Sequence, residues 1–139
     1  MKRNIGYLLK TINDKLAVYG NAAMAEFGLT FTQSRVLAIL HAAGGEMAQK
    51  ELECALEVSH ATVAGLVSRM QEHGFLETRQ DETDRRSKII TLTAKAHAVG
   101  EELDKTTDEH NRKMLTGLTK EQTASLYDML TVIDKNITR

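Results

Sequence analysis

Four cations stand close together in one polar stretch of the sequence, at Arg79, Arg85, Arg86 and Lys88. A weakly hydrated guanidinium suits insertion into a narrow DNA minor groove, where the potential is most negative. Asp84 stands two residues before Arg86, and we expect it to bind that guanidinium and orient it. The alternative is a solvated turn with incidental charges, since Asp81, Glu82 and Asp84 nearly offset the cations.

A second group of polar and small residues lies on the segment from Ser59 to Met70. Val63, Leu66 and Met70 predict one buried helical stripe, so the opposite side should face outward. That side and its shoulders carry Ser59, His60, Ala61, Thr62, Ala64, Gly65, Ser68 and Arg69. Small residues let a helix backbone approach bases in a major groove, while the polar ones reach base edges or phosphates. The alternative is a seam that packs against another helix.

Other chemistries have less support in the sequence. The five histidines lack the H-E-x-x-H spacing, and there is no glycine-rich phosphate loop or nucleophile elbow, so we expect neither an enzyme nor a bound cofactor. A metal-responsive protein stays open as an alternative if His41, His97 and His110 converge, although we expect no metal site. A thiol sensor at Cys54 is a further alternative, but the glutamates around it disfavour a thiolate.

Composition limits the kind of protein this is. The chain has 139 residues, 18 Lys and Arg, 19 Asp and Glu, and a formal charge of −1, so any DNA-binding surface must arise from the arrangement of charges. Proline is absent and helix formers are common, which favours a mostly helical protein. The sequence suggests no signal peptide and no membrane span, so we expect a cytoplasmic protein without a membrane partner.

The elements that would position these residues follow from hydrophobic periodicity. Helical spacing predicts a first helix over residues 2–27, a second from Thr30 or Thr32, a third over 49–56 and a fourth after Ser59. Residues 75–79 and 88–92 predict two strands, and helical spacing returns after Thr93 and again after Thr119. The order is α-α-α-α-β-β-α-α: a mainly α fold with a small β-hairpin wing, that is, a winged helix-turn-helix core flanked by further helices.

The two terminal segments carry more apolar surface than such a core can cover. One stripe is Ile5, Leu9, Ile12 and Leu16, and the other is Leu126, Leu130, Ile133 and Ile137. Large exposed apolar patches normally mark interfaces. The sequence therefore predicts a homodimer.

From about Gly28 to Thr93 the chain resembles the MarR family. The matching stretches are GLTFTQSRVLAIL, ELECALEVSHATVAGLVSRMQEHGFLE and DETDRRSKIITLT, the last containing a wing signature at Asp84, Arg86, Leu92 and Thr93. The resemblance implies dimerisation helices over 1–28 and 94–139 and a DNA-binding region over 29–93. It also implies a repressor that binds an inverted repeat in double-stranded DNA and is released by a small-molecule effector, whose site the sequence leaves unassigned.

Three positions depart from the family pattern. Glu57 stands where the turn before the recognition helix usually has glycine, Glu53 replaces a common alanine in the preceding helix, and Thr83 stands where the wing tip is often basic. A metal- or thiol-responsive regulator of the same fold, and a winged-helix module that binds protein, stay open as alternatives. A cationic wing favours DNA over protein.

Overall fold

The computed structural model describes residues 3–138, which form six helices and three strands. In chain order they are α1 (Ile5–Ala25), α2 (Phe31–Ala42), β1 (Glu46–Ala48), α3 (Gln49–Leu56), α4 (His60–Glu72), β2 (Leu76–Gln80), β3 (Lys88–Leu92), α5 (Ala94–Met114) and α6 (Lys120–Ile137). The mainly helical winged fold predicted from the sequence is confirmed. The predicted element order was incomplete, because it lacked β1.

The strands form one antiparallel sheet in the order β1-β3-β2. β3 therefore has a partner on each side: Glu46 faces Thr91 across one edge, and Glu77 faces the same residue across the other. The two-stranded ribbon expected from the sequence is thus a three-stranded sheet. Only two of its strands, β2 and β3, continue into the protruding loop at residues 81–87.

Side-chain caps fix where the helices begin. Thr30 caps α2, and its hydroxyl and the Gln33 side chain form a reciprocal capping box. Thr119 and Gln122 form the same arrangement at the start of α6, as predicted. Gly28 and Gly74 follow α1 and α4 with φ of +73° and +80°, a left-handed conformation that lets the chain turn sharply after a helix.

The chain divides into two compact units, one ending at Asp104 and the other beginning at Lys105. The first unit has a continuous apolar core from α2, α3, α4 and the sheet. Its largest fully buried side chains are Leu40, Leu52, Met70, Leu76, Ile90, Val36 and Val63. Because these residues come from α2, α3, α4, β2 and β3, the core holds α4 and the wing on one rigid frame.

Large apolar side chains stay exposed on the terminal helices. On α1 these include Ile5, Leu8, Ile12 and Leu16, and on α6 they include Tyr127, Met129, Leu130 and Ile137. None of the residues of α6, all of which the structure describes, is buried. Within residues 3–138, no helix combines the length and apolar character needed to cross a membrane.

Candidate nucleic-acid interface

The orientation of α4 is set by its apolar stripe. Val63, Leu66, Val67 and Met70 are buried, as the spacing predicts. His60, Ala61, Thr62, Ser68 and Arg69 are exposed, whereas Ala64 and Gly65 are half-buried. The helix thus presents a face of small and polar residues, on which Ala64 and Gly65 are partly covered by neighbouring parts of the chain.

Ser59 begins α4 as its N-cap. The Ser59 hydroxyl accepts the backbone N–H of Thr62 at 3.2 Å and lies 2.9 Å from the Thr62 hydroxyl. The two hydroxyls therefore contact each other at the helix start. Both side chains are exposed, so the pair also reaches solvent beside the first turn.

His60, the first residue of α4, contacts the preceding helix. Its Nδ1 lies 2.5 Å from Oε1 of Glu53 on α3. The His60 side chain is 77% exposed, whereas that of Glu53 is only 17% exposed. A largely covered carboxylate therefore holds one nitrogen of an exposed imidazole. Sequence spacing gave no sign of this pair, because the two residues belong to different helices.

The turn between α3 and α4 has an unusual backbone. Glu57 has φ 56° and ψ 39°, and it is the one non-glycine residue of 3–138 with a left-handed φ. The N–H of the following Val58 donates to the Glu53 carbonyl at 3.4 Å. The chain therefore forms a turn suited to glycine without a glycine, and the conformation is strained because a Cβ crowds the neighbouring carbonyl.

The wing loop is organised by two aspartates. Asp81 Oδ1 accepts both the backbone N–H of Thr83, at 3.1 Å, and its hydroxyl, at 2.9 Å. Asp84 Oδ1 accepts the backbone N–H of Arg86 at 3.1 Å. The expected contact between Asp84 and the Arg86 guanidinium was wrong, because the short aspartate reaches the backbone two residues on in an Asx turn.

Hydrogen bonds also shift the pKa of one carboxyl at the wing tip. The backbone N–H of Thr83 and then its hydroxyl hold the pKa of the Asp81 carboxyl below its ordinary value, and the nearby Arg79 acts in the same direction. Thr83 therefore has a structural role at the tip, where the resemblance suggested a basic residue.

The predicted cations of the wing have different surroundings. Arg79 on β2 lies 3.4 Å from Glu46 on β1, and Glu46 also accepts the Thr91 hydroxyl at 3.4 Å. Arg85, Arg86 and Lys88 are exposed on or beside the loop. β1, which the sequence did not predict, thus supplies the ion-pair partner of Arg79.

A cleft of about 670 Å³ lies between the wing, α3 and α4. All of its lining residues except Ala64 have polar or charged side chains. They are Gln49, Lys50, Glu53, His60, Ala64, Asp84, Arg86, Ser87 and Lys88. The structure therefore brings together two predicted residues of α4 with three predicted residues of the wing. Gln49 and Lys50 were not predicted as site residues, because no pattern within the third helix marks them as facing a cleft.

The structure places the histidines and the cysteine behind the metal and thiol alternatives as follows. The rings of His41 and His97 lie 6.4 Å apart, edge to face. No group of three or more His, Cys, Asp and Glu side chains in residues 3–138 is placed to hold a metal ion. Cys54 is a free, exposed thiol on α3.

Comparisons with known proteins agree with this architecture. The solved structure of an S. aureus MepR–DNA complex matches with a TM-score of 0.90 at 20% identity, over 99% of this chain and 100% of that one, which shows a shared fold. The HTH-type transcriptional regulator BilQ of Clostridium symbiosum (strain WAL-14163) is 31% identical over 63% of this chain and 60% of BilQ.

A closer similarity covers more of both sequences. The uncharacterized HTH-type transcriptional regulator YwoH of Bacillus subtilis (strain 168) is 35% identical over 101 residues, which cover 70% of this chain and 72% of YwoH. A model of the MarR family matches residues 27–87, the stretch that holds α2 to α4 and most of the wing. With its winged helix, its apolar terminal helices and this relative, the chain belongs to the MarR family of transcriptional regulators.

Proposed function

We propose that this protein binds an inverted-repeat operator in double-stranded DNA as a homodimer and represses transcription from it. The observation that carries the proposal is the cleft in which His60 and Ala64 of α4 stand opposite Arg86 and Lys88 of the wing. A helix and a cationic ribbon on one rigid frame match the winged-helix mode of contacting a major groove and the adjacent backbone. MepR, which shares the fold, was solved in complex with DNA.

In this proposal α4 reads the major groove. Ala61, Ala64 and Gly65 let its backbone approach the bases, while His60, Thr62, Ser68 and Arg69 offer hydrogen bonds to base edges and phosphates. The cap residue Ser59 stands next to the first backbone N–H groups, where a phosphate would be favoured.

On the wing, Arg86, Arg85 and Lys88 contact the neighbouring groove and backbone, with Asp84 shaping the loop.

Dimerisation is the second part of the proposal. We assign residues 1–28 and 94–139 to the dimer region and 29–93 to DNA binding. The support is the exposed apolar surface on α1 and the absence of any buried residue on α6, whose residues are all described. An isolated α6 would leave Leu130 and Ile137 in water, so a second copy that covers them is favoured by the hydrophobic effect.

Regulation by a small molecule completes the proposal. An effector that binds the dimer without DNA more tightly than the DNA-bound dimer would release the operator by shifting that equilibrium. The family resemblance supports this step.

Selection of bound duplexes from a random pool tests the function directly. We expect the full chain to enrich one inverted repeat, and its affinity for that repeat to fall as salt rises, because phosphate contacts release counterions. A pool without enrichment, or an enriched asymmetric half-site, would contradict the proposal. Transcription from a promoter that overlaps the selected site should then fall when the protein is added.

A further inference from the structure

We infer that Glu53 is a positioning residue for DNA recognition: its carboxylate holds Nδ1 of His60 and leaves Nε2 as the ring nitrogen that meets DNA. This inference rests on the proposed function and adds to it a specificity-determining contact. Glu53 stands on α3, outside the group of residues predicted to touch DNA. Its effect on discrimination between sequences is exerted through the histidine at the start of α4.

The two side chains have the exposure that such a pair requires. Glu53 exposes 17% of its side chain, so α3 and its neighbours fix where the carboxylate lies. His60 exposes 77% and is held at Nδ1 by Glu53 Oε1. Glu53, the residue that is held in place, is thus largely covered, and His60, the residue that would meet DNA, is exposed. This is the arrangement expected when one residue orients another toward a ligand.

The chemistry of the imidazole explains what the contact does. Because an ionised carboxylate only accepts hydrogen bonds, Nδ1 must carry the proton that joins it to Glu53. The ring then has one orientation. With the proton on Nδ1, Nε2 of the neutral ring accepts from an amino group on a base edge, and Nε2 of a protonated ring donates to a phosphate or a base acceptor. Without Glu53, the ring is free to rotate and either nitrogen can carry the proton. Discrimination between base pairs would then fall.

Other charges face His60 across the cleft. Lys50 of α3 and Arg86 and Lys88 of the wing are cationic, while Asp84 adds a second acid beside Glu53. An acid in a surface that meets phosphates repels every duplex equally, whatever its sequence. If Glu53 were only such an acid, its removal would tighten binding to all DNA and leave discrimination unchanged.

A Glu53 that positions His60 and a Glu53 that only repels phosphates therefore predict different values of one measurable ratio. It is the Kd for a random duplex divided by the Kd for the selected operator, measured at one salt concentration. For Glu53→Ala we expect this ratio to fall roughly fivefold, the value of one net hydrogen bond, while binding to random DNA becomes tighter. In the His60→Ala background, Glu53→Ala should leave the ratio unchanged, because the residue through which Glu53 acts is gone.

Two further variants separate the hydrogen bond from the charge. Glu53→Gln removes the charge but keeps an amide oxygen that accepts from Nδ1, so we expect it to restore most of the ratio. Glu51→Ala removes an exposed acid from the first turn of the same helix and should leave the ratio at the parent value. A Gln variant that loses as much discrimination as the Ala variant would overturn the inference.

The remaining outcomes are also decisive. A parent ratio near one would overturn the proposed function and this inference with it. A parent that discriminates strongly, with a ratio unaffected by Glu53→Ala, would leave the proposed function intact and overturn only the role of Glu53. The same would follow if Glu53→Ala lowered the ratio equally with and without His60.

Discussion

Arg79 and Arg86 carry the same guanidinium group, but the structure surrounds them differently. Arg79 lies beside Glu46 of β1, whereas Arg86 lines the cleft that faces α4. A guanidinium already beside a carboxylate gains less from a phosphate, because part of its charge is compensated. The two residues therefore make different contributions to DNA binding, although the sequence presents them alike.

For Arg86→Ala we expect operator binding to weaken by about 1–3 kcal/mol, the range for one good groove contact. For Arg79→Ala the loss should be smaller, since Glu46 competes for its charge. Binding isotherms of both variants and the parent at equal salt provide the measurement. Equal losses, or an Arg86→Ala isotherm that overlays the parent, would show that the wing does not contact DNA in the way proposed.

Glu57 is a residue whose conformation suits another amino acid. In glycine the left-handed φ of 56° carries no Cβ clash, although glycine loses more conformational entropy on folding. Glu57→Gly should therefore raise the free energy of unfolding by about 0.5–1 kcal/mol. Urea denaturation at one fixed protein concentration measures it, since a dimer's stability depends on concentration.

A matched substitution checks that explanation. Glu101 is exposed in the middle of α5, where the backbone is helical, so Glu101→Gly should lower stability by roughly 1 kcal/mol. Opposite signs for the two variants would identify the backbone conformation as the cause. Destabilisation by Glu57→Gly would mean that the glutamate makes interactions that outweigh its strain.

At the scale of elements, the wing tip is held by short-range bonds. Asp81 binds Thr83, Asp84 binds Arg86, and the Asp81 N–H donates to the Ser87 carbonyl at 3.0 Å. Each partner lies within a few residues in sequence. The shape of the loop is thus encoded locally, while its position depends on the pairing of β2 with β3.

The lowered pKa of Asp81 gives this element a dependence on pH. The folded carboxyl titrates below its ordinary value, so its contribution to the loop is complete above that value and is lost as pH falls through the lowered folded pKa. We expect the exchange of the Thr83 amide proton, measured relative to an unstructured peptide, to lose protection below about pH 4.

Thr83→Val tests the hydroxyl's share of the effect. The variant keeps the backbone N–H but removes the second donor, so the pKa of Asp81 should rise toward its ordinary value in an NMR titration. Glu82→Gln, which changes a neighbouring exposed acid, is the control for a general change in charge. An unchanged Asp81 pKa in Thr83→Val would show that the hydroxyl does not contribute to lowering it.

Sequence patterns predicted the helices well and the sheet incompletely. The stripe ending at Met70 and the cap at Ser59 are local signals, and both are confirmed. β1 has three residues, too few for an alternating pattern, and it pairs with β3 more than forty positions away in sequence. The pairing of β1 depends on the tertiary fold. Because β1 was not predicted, its residue Glu46 was not predicted as the partner of Arg79 either.

The site was predictable to a similar extent. Period and residue type placed His60 and Ala64 on the outward side of α4, and both line the cleft. The contacts of Glu53 and Lys50 depend on how α3 crosses α4, which no spacing within one helix reports. Asp84 was assigned to the wrong atom of Arg86, because sequence shows which residues are near but not whether a backbone or side-chain group is the partner.

For the whole molecule, we expect the terminal helices to determine assembly. The apolar stripe of α6 includes Leu130 at 39% exposed and Ile137 at 74% exposed, values that an isolated helix in water would not favour. A two-fold dimer presents the same α4 twice, so its half-sites should be inverted and centred roughly 10 base pairs apart.

Replacing Leu130 and Ile133 together by Asp should abolish the dimer, because two charges would have to be buried without partners. Light scattering at micromolar concentration should show a dimer for the parent and a monomer for the variant. Operator affinity should fall more than affinity for random DNA. The control is Ala124→Asp with Lys135→Asp, on the opposite side of α6, which should stay dimeric. A monomeric parent would contradict the proposal.

The exposed thiol of Cys54 makes the molecule convenient to observe. It is the one cysteine of the chain, and it stands on α3 next to Glu53. A spin label or fluorophore attached there would mark each DNA-reading unit once, without any engineered residue. In a dimer, the distance between the two labels can be measured by pulsed spin resonance or energy transfer. That distance would report how the two DNA-binding regions move relative to each other as operator is titrated in.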